Sequence, residues 1–139
     1  MAEIERRTRS YRLPPMRWPD PWPADYLFAM RATTAAFALG LGRDFVLHAY
    51  RHAFQRGADL SMADRVLEAA RHAGIDARVL ETEAASPQIK RALRDATEAA
   101  CELGVFGVPT IAIDDELFWG DDRLEDAAAH LRGVTAASG

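Results

Sequence analysis

The chain has 139 residues, 49% of them hydrophobic, with 17 basic and 21 acidic side chains and a formal net charge of −4. That length suits one domain with a real core and leaves too little for a second, and the charge balance does not favour nucleic acid or an anionic membrane as partner. Cys101 is the only cysteine, which excludes an internal disulfide, a Cys-x-x-Cys pair and any dithiol chemistry within one chain.

Residues 1–10 read as a basic lead-in, with Arg6, Arg7 and Arg9 followed closely by Arg12 and Arg17, solvated or partly disordered. The opening lacks the apolar run of a secretory signal, and no segment approaches bilayer-spanning length, so a cytoplasmic location without membrane contact is expected. Leu13 to Pro23 holds five prolines and two tryptophans. This composition blocks helix and favours an extended connector with aromatic anchors, following a short edge strand at Tyr11 to Leu13. From Ala24 the residues Leu27, Met30, Thr34, Phe37 and Leu41 recur at helical spacing, the stripe of an amphipathic helix that Gly40 and Gly42 end.

Asp44 is placed to cap a second helix with two apolar rows, Phe45/Ala49/Ala53 and Val46/Tyr50/Phe54, buried on two sides and ending at Gly57. Ser61 and Asp64 have the spacing of a capping box for a third helix with Val66, Leu67 and Ala70 inward and Gly74 at its end. A helical turn or two follows at Ala77 to Thr82. Ser86-Pro87 then supplies an N-cap and a first-position proline for a long helix with the stripe Ile89, Leu93, Ala96, Ala100 and Leu103, stopped at Gly104. Cys101 lies one position off that stripe and reads as a half-buried small hydrophobe. His48 and His52 are four apart, but His72 and His130 lie on other helices and no third ligand has suitable spacing, so no metal site is expected. No glycine-rich phosphate loop is present either, because Gly40 and Gly42 close a helix and do not open one.

The period then changes. Thr110 to Ile113 reads as a buried strand, Asp114-Asp115 as a tight turn and Glu116 to Trp119 as the returning strand of a hairpin. Gly120 breaks it, Asp121 or Asp122 caps a last helix with Leu124, Ala127, Ala128 and Leu131 inward, and Gly133 stops that helix before a tail at residues 134–139.

The run Gly104-Val105-Phe106-Gly107-Val108-Pro109-Thr110, the hairpin, and Leu117-Phe118-Trp119-Gly120-Asp121-Asp122-Arg123-Leu124 together resemble the C-terminal half of the DsbA-like thioredoxin family. The likeness is to its 2-hydroxychromene-2-carboxylate isomerase and kappa-class glutathione transferase branch. The Trp18-Pro19-Asp20-Pro21-Trp22-Pro23 connector and Ala29-Met30-Arg31-Ala32 resemble that branch too. The resemblance implies an α/β thioredoxin-like fold with an all-helical insertion: residues 11–133 form an incomplete domain, with the insertion at 24–104 and the β-β-α half at 105–133.

In that family the proline is cis, and the residue before it offers its backbone to the cysteinyl part of glutathione or of a substrate peptide. By position these are Pro109 and Val108, the alternative being a trans proline that merely starts a strand. The resemblance also places Asp121 and Asp122 near the γ-glutamyl end of glutathione, where a carboxylate can pair with the α-ammonium; ordinary helix capping is the competing use of the same residues. Glutathione is therefore the implied cofactor and a small-molecule or thiol compound the implied substrate.

The family begins with a strand and a first helix that starts on a Ser or Cys nucleophile, and Ala2 to Ser10 matches neither, so the chain is expected to lack both. The nucleophile role is not carried onto Ser10, and the catalytic residue is unknown. If the missing strand is the sheet's centre, each buried unpartnered backbone group costs ~1–3 kcal/mol, and something must cover the gap. A second copy in a homodimer, Glu3 to Thr8 as a substitute strand, or a start further upstream would each do so. Three readings are compatible with these features: a glutathione-dependent isomerase or transferase, with the thiol oxidoreductase branch disfavoured; a non-catalytic binding or dimerisation module that keeps the Val108-Pro109 platform; or the C-terminal fragment of a longer enzyme.

Overall fold

The basic opening segment is helical. In the computed structural model, which describes residues 2–137, α1 spans Ala2–Ser10 with Glu3 and Glu5 in its first turn and Arg7 and Arg9 in its last. That order complements the helix dipole, and an Arg6–Glu3 ion pair adds to it. The edge strand expected at Tyr11 to Leu13 does not form. Its backbone donors are turned back onto the helix end: Tyr11 N–H reaches the Arg7 carbonyl (2.9 Å), Arg12 N–H that of Arg9 (3.0 Å) and Leu13 N–H that of Thr8 (3.0 Å). Arg12 takes a φ of 55°, the left-handed step of a C-terminal cap.

Beyond the connector the chain forms α2 (Leu27–Ala38), α3 (Gly42–Arg56), α4 (Ala63–His72), α5 (Ala77–Ala85) and α6 (Pro87–Glu102). Strands β1 (Thr110–Ile113) and β2 (Glu116–Trp119), a short 3₁₀ turn (Asp121–Arg123) and α7 (Leu124–Ala137) complete it. These elements gather into two units, residues 1–94 and residues 95–139, the division falling within α6.

The first unit is a helical cluster around Phe45, Val66 and Leu80, all essentially inaccessible, with Ala32, Ala35, Ala36, Ala69 and Ala70 fully buried between them. Burying Phe45 alone contributes about 1.5–3 kcal/mol. The face α2 buries is its alanine row. The larger stripe expected to face inward, Leu27, Met30 and Phe37, is exposed instead. Alanines let the backbones of α2, α3 and α5 approach closely, whereas Phe37 packs over Gly42, where no side chain would fit.

Of the two apolar rows of α3 only Phe45/Ala49/Ala53 is buried, with His52 beside it; Tyr50 of the second row is exposed and Phe54 half-buried, so the helix is covered on one side. Asp44 lies inside α3, not at its cap, which is Leu41. Gly57 ends the helix in the left-handed conformation. The Trp18, Trp22 and Tyr26 rings join Phe54 in one aromatic cluster with centroids 5.4–6.0 Å apart, and Arg17 N–H donates to the Phe54 carbonyl at 2.7 Å, which anchors the connector as its composition implies.

The Ser61/Asp64 capping box is absent. Asp59 takes Ser61 instead, accepting from its amide (2.9 Å) and its hydroxyl (2.7 Å), and α4 starts from Met62 with no side-chain cap. Val66, Ala69 and Ala70 form its buried face, with Leu67 only half-buried. Helix α5 is longer than expected because Asp76 caps it, accepting from the amides of Arg78 (2.9 Å) and Val79 (3.0 Å). Ser86 caps α6 as its Ser-Pro step indicates, accepting from Ile89 N–H at 3.2 Å. Of the α6 stripe Ile89 is buried, Leu93 and Ala100 are half-buried, and Ala96 and Leu103 are exposed. Cys101 is exposed rather than half-buried.

The second unit holds the hairpin. Strands β1 and β2 pair antiparallel with Thr110 opposite Trp119, Ile111 opposite Phe118, Ala112 opposite Leu117 and Ile113 opposite Glu116. The two-residue turn puts Asp114 at φ 50°, a conformation aspartate tolerates. β1 is half-buried, with Ala112 exposed, because only one face of the hairpin is covered by α7. That contact buries Phe118 and Ala127, while Leu124 and Leu131, expected inward, are exposed. Helix α7 passes through Gly133 and continues to Ala137, so residues 134–137 of the expected tail are helical; Ser138 and Gly139 lie outside the described residues.

Candidate functional site

At one end of the hairpin the two sequence motifs meet. The Val108–Pro109 peptide is cis, as expected. Val108 is 88% exposed, and among the described residues its backbone N–H and C=O have no hydrogen-bond partner. The step is held from both sides. Thr110 Oγ1 donates to the Gly107 carbonyl at 2.6 Å, and Gly120 N–H donates to the Pro109 carbonyl at 2.9 Å, prolonging the ladder one pair past Thr110 and Trp119.

That second bond brings Gly120-Asp121-Asp122 beside Val108-Pro109. Gly120, at φ 107° and ψ 154°, turns the chain out of β2, and the Asp122 carboxylate folds so closely over it that a side chain there would collide. Asp121 and Asp122 are both exposed and form the first two residues of the 3₁₀ turn that leads into α7. The capping position of that turn belongs to Gly120. Arg123 is turned aside: its Nε donates to Asp126 Oδ2 at 2.8 Å, and its guanidinium lies over the Phe118 ring at 5.5 Å.

Three residues of this end had no role in the sequence reading. The Phe106 and Trp119 rings lie 5.0 Å apart, the first largely and the second about half exposed, and give the platform an apolar flank. Gly107 lies under the Trp119 indole, whose Nε1 is 2.8 Å from where a Cβ would stand. The only sequence signal for them was their place inside the Gly-Val-Phe-Gly and Phe-Trp-Gly runs. Cys101, in the same unit, closes the end of α6, its carbonyl accepting from Gly104 N–H at 2.9 Å. Ser10 Oγ, in the first unit, donates to the Arg7 carbonyl at 2.8 Å. Chemically, the site offers an open strand-like backbone step, two adjacent carboxylates and an aromatic flank, suited to an extended peptide-like ligand with a cationic end.

An antiparallel hairpin backed by a C-terminal helix, reached through a long helical segment and opening on a cis X-Pro step, defines a mixed α/β protein of the thioredoxin-like class. The chain belongs to the DSBA-like thioredoxin domain family, whose sequence model matches residues 1–132. It is 31% identical over 133 residues to 2-hydroxychromene-2-carboxylate isomerase of Sphingobium xenophagum, a match covering 94% of this chain and 66% of that protein. It is 37% identical over 87 residues to glutathione S-transferase kappa 1 of Homo sapiens, covering 58% of this chain and 38% of that one. A solved structure of 2-hydroxychromene-2-carboxylate isomerase superposes with a TM-score of 0.77 at 23% identity, covering 99% of this chain and 68% of the other; at that identity the likeness is one of fold. The chain thus spans about two thirds of the isomerase and well under half of the transferase.

Proposed function

We propose that the chain binds glutathione or a related thiol peptide at the Val108–Pro109 step and acts within the isomerase and transferase branch of its family. The observation that carries this reading is the Val108 backbone, exposed and unpartnered among the described residues, held beside Asp121 and Asp122 by the Gly120–Pro109 hydrogen bond. A cysteinyl residue of the ligand would add to Val108 as a short strand, and one of the two carboxylates would pair with the γ-glutamyl α-ammonium. The names of the relatives support glutathione as that ligand. The catalytic nucleophile has no candidate in this chain. A homodimer in the cytoplasm is part of the same reading, with a small-molecule or thiol substrate and neither nucleic acid nor membrane as partner; among the described residues no helix is long and apolar enough to cross a membrane.

A second reading is a binding or dimerisation module without catalysis. It draws on the two hydroxyls near the start, Thr8 and Ser10, both of which donate to carbonyls of their own helix. Calorimetry with reduced glutathione, combined with a turnover assay on a kappa-type substrate, separates the two. Binding that weakens about tenfold in Asp122→Asn, the loss of one charge-assisted hydrogen bond, is the expected result. Turnover that falls in parallel supports the enzyme, binding without turnover supports the module, and absence of binding overturns the ligand assignment.

A further inference from the structure

Three histidines that are spread over two helices in the sequence converge between α3 and α4. His52 is 2% exposed, the one buried polar side chain among the described residues. Its ring meets that of His72 edge-on at 4.9 Å, and His72 in turn stacks on His48 at 6.1 Å with an interplanar angle of 29°. His72 Nδ1 lies 2.9 Å from the Glu68 carbonyl, so that nitrogen carries a proton and donates it. The decisive contact is at His52. Its Nε2 lies 3.3 Å from Arg56 Nη1, and because a guanidinium can only donate, Nε2 must accept. The imidazole is therefore neutral with its proton on Nδ1.

We propose that the His48–His52–His72 cluster is a proton-operated lock between α3 and α4, holding α4 in place while His52 is neutral and releasing it in mildly acidic solution. Protonating His52 Nε2 would set a second donor against Arg56 and a second positive charge beside it, inside the packed helix interface. The charged and titratable groups facing His52 are His48 and Arg56 from α3 and Glu68 and His72 from α4. Helix α2, which also packs on α3, carries Arg31 as its one charged side chain. Burial first and the Arg56 charge second hold the His52 pKa below its ordinary 6.5; Glu68 acts in the opposite direction, and His72 and His48 add smaller lowering effects.

The sign follows from linkage. The unfolded or opened chain takes up a proton at His52 near pH 6.5, while the closed form resists until the pH falls further. Stability from this site is complete above that pH, falls as pH drops from it toward the depressed folded value, and levels off below. Carboxylates titrate at more acid pH, so the window isolates the histidines.

The test is hydrogen exchange of the α4 amides at about pH 7.5 and about pH 5.5, corrected for intrinsic exchange, on the whole chain. The proposal expects α4 exchange to rise at the lower pH by up to about tenfold, the ceiling that one proton taken up near pH 6.5 sets, with the hairpin amides as internal reference, and expects this rise to vanish in His52→Gln, which keeps an acceptor toward Arg56 but cannot take the proton. Should that variant fail to fold, the histidine Cε1–H resonances of the unmodified protein answer instead. A His52 midpoint below 6.5 supports the lock. A midpoint at or above that value, or α4 exchange that ignores pH, overturns it.

Discussion

Gly107 is fixed by its neighbour and not by its own backbone angles. A Cβ there would stand 2.8 Å from Trp119 Nε1, but Trp119 is about half exposed and can swing outward. Gly107→Ala should therefore cost only about 1 kcal/mol of stability, the low end for overpacking, while moving the Trp119 indole off the Phe106 ring. The Trp119 indole N–H resonance should shift, those of Trp18 and Trp22 should not, and glutathione affinity measured by calorimetry should weaken. An unmoved Trp119 resonance would show that the indole does not depend on the glycine. Val108, Pro109, Asp121 and Asp122 could be proposed from the sequence because they sit in compact runs that resemble a known family. Phe106 and Trp119 could not, because their contact depends on the hairpin register that sets Trp119 opposite Thr110. The convergence of His48, His52 and His72 was hidden for a similar reason: nothing in the spacing states which faces of α3 and α4 meet.

Helix boundaries were readable wherever one side chain or one glycine performs the stop or start. Gly57, Gly74 and Gly104 all take left-handed angles, and Ser86 caps α6 as its Ser-Pro step indicates. The inward faces were less readable. Large side chains at helical spacing on α2 look like a core stripe, yet close helix packing selects the alanine row, which carries no bulk to mark it. At Ser61 the capping-box spacing is present, but Asp59 competes for the serine with a shorter local turn. These assignments separate in urea denaturation. Asp76→Ala removes an acceptor for two amides and should cost about 1 kcal/mol or somewhat more, Ser86→Ala, with one longer bond, should cost less, and Ser61→Ala should not behave as a lost cap. Equal losses at Ser61 and Asp76 would contradict the caps assigned here.

At the scale of the molecule, the family's sheet was legible as a hairpin because alternation and an Asp-Asp turn are local signals, whereas the strand expected at Tyr11 to Leu13 was lost to the C-terminal cap of α1, whose left-handed Arg12 carries none of the usual glycine signature. Among the described residues the sheet is β1 paired with β2 alone, so β1 keeps one edge without a strand partner. In the first unit the exposed face of α2 presents Leu27, Met30 and Phe37, and in the second Leu103, Phe106 and Val108 are all more than half exposed. Apolar exposure on this scale and an uncovered strand edge both favour association, which is the physical basis for the proposed homodimer. Sedimentation at tens of micromolar should then return twice the chain mass. Folding linked to association has a second consequence: the urea midpoint should rise with protein concentration, because mass action favours whichever state binds a partner. A midpoint independent of concentration, together with a species of one chain mass throughout, would show that each copy tolerates its open edge alone.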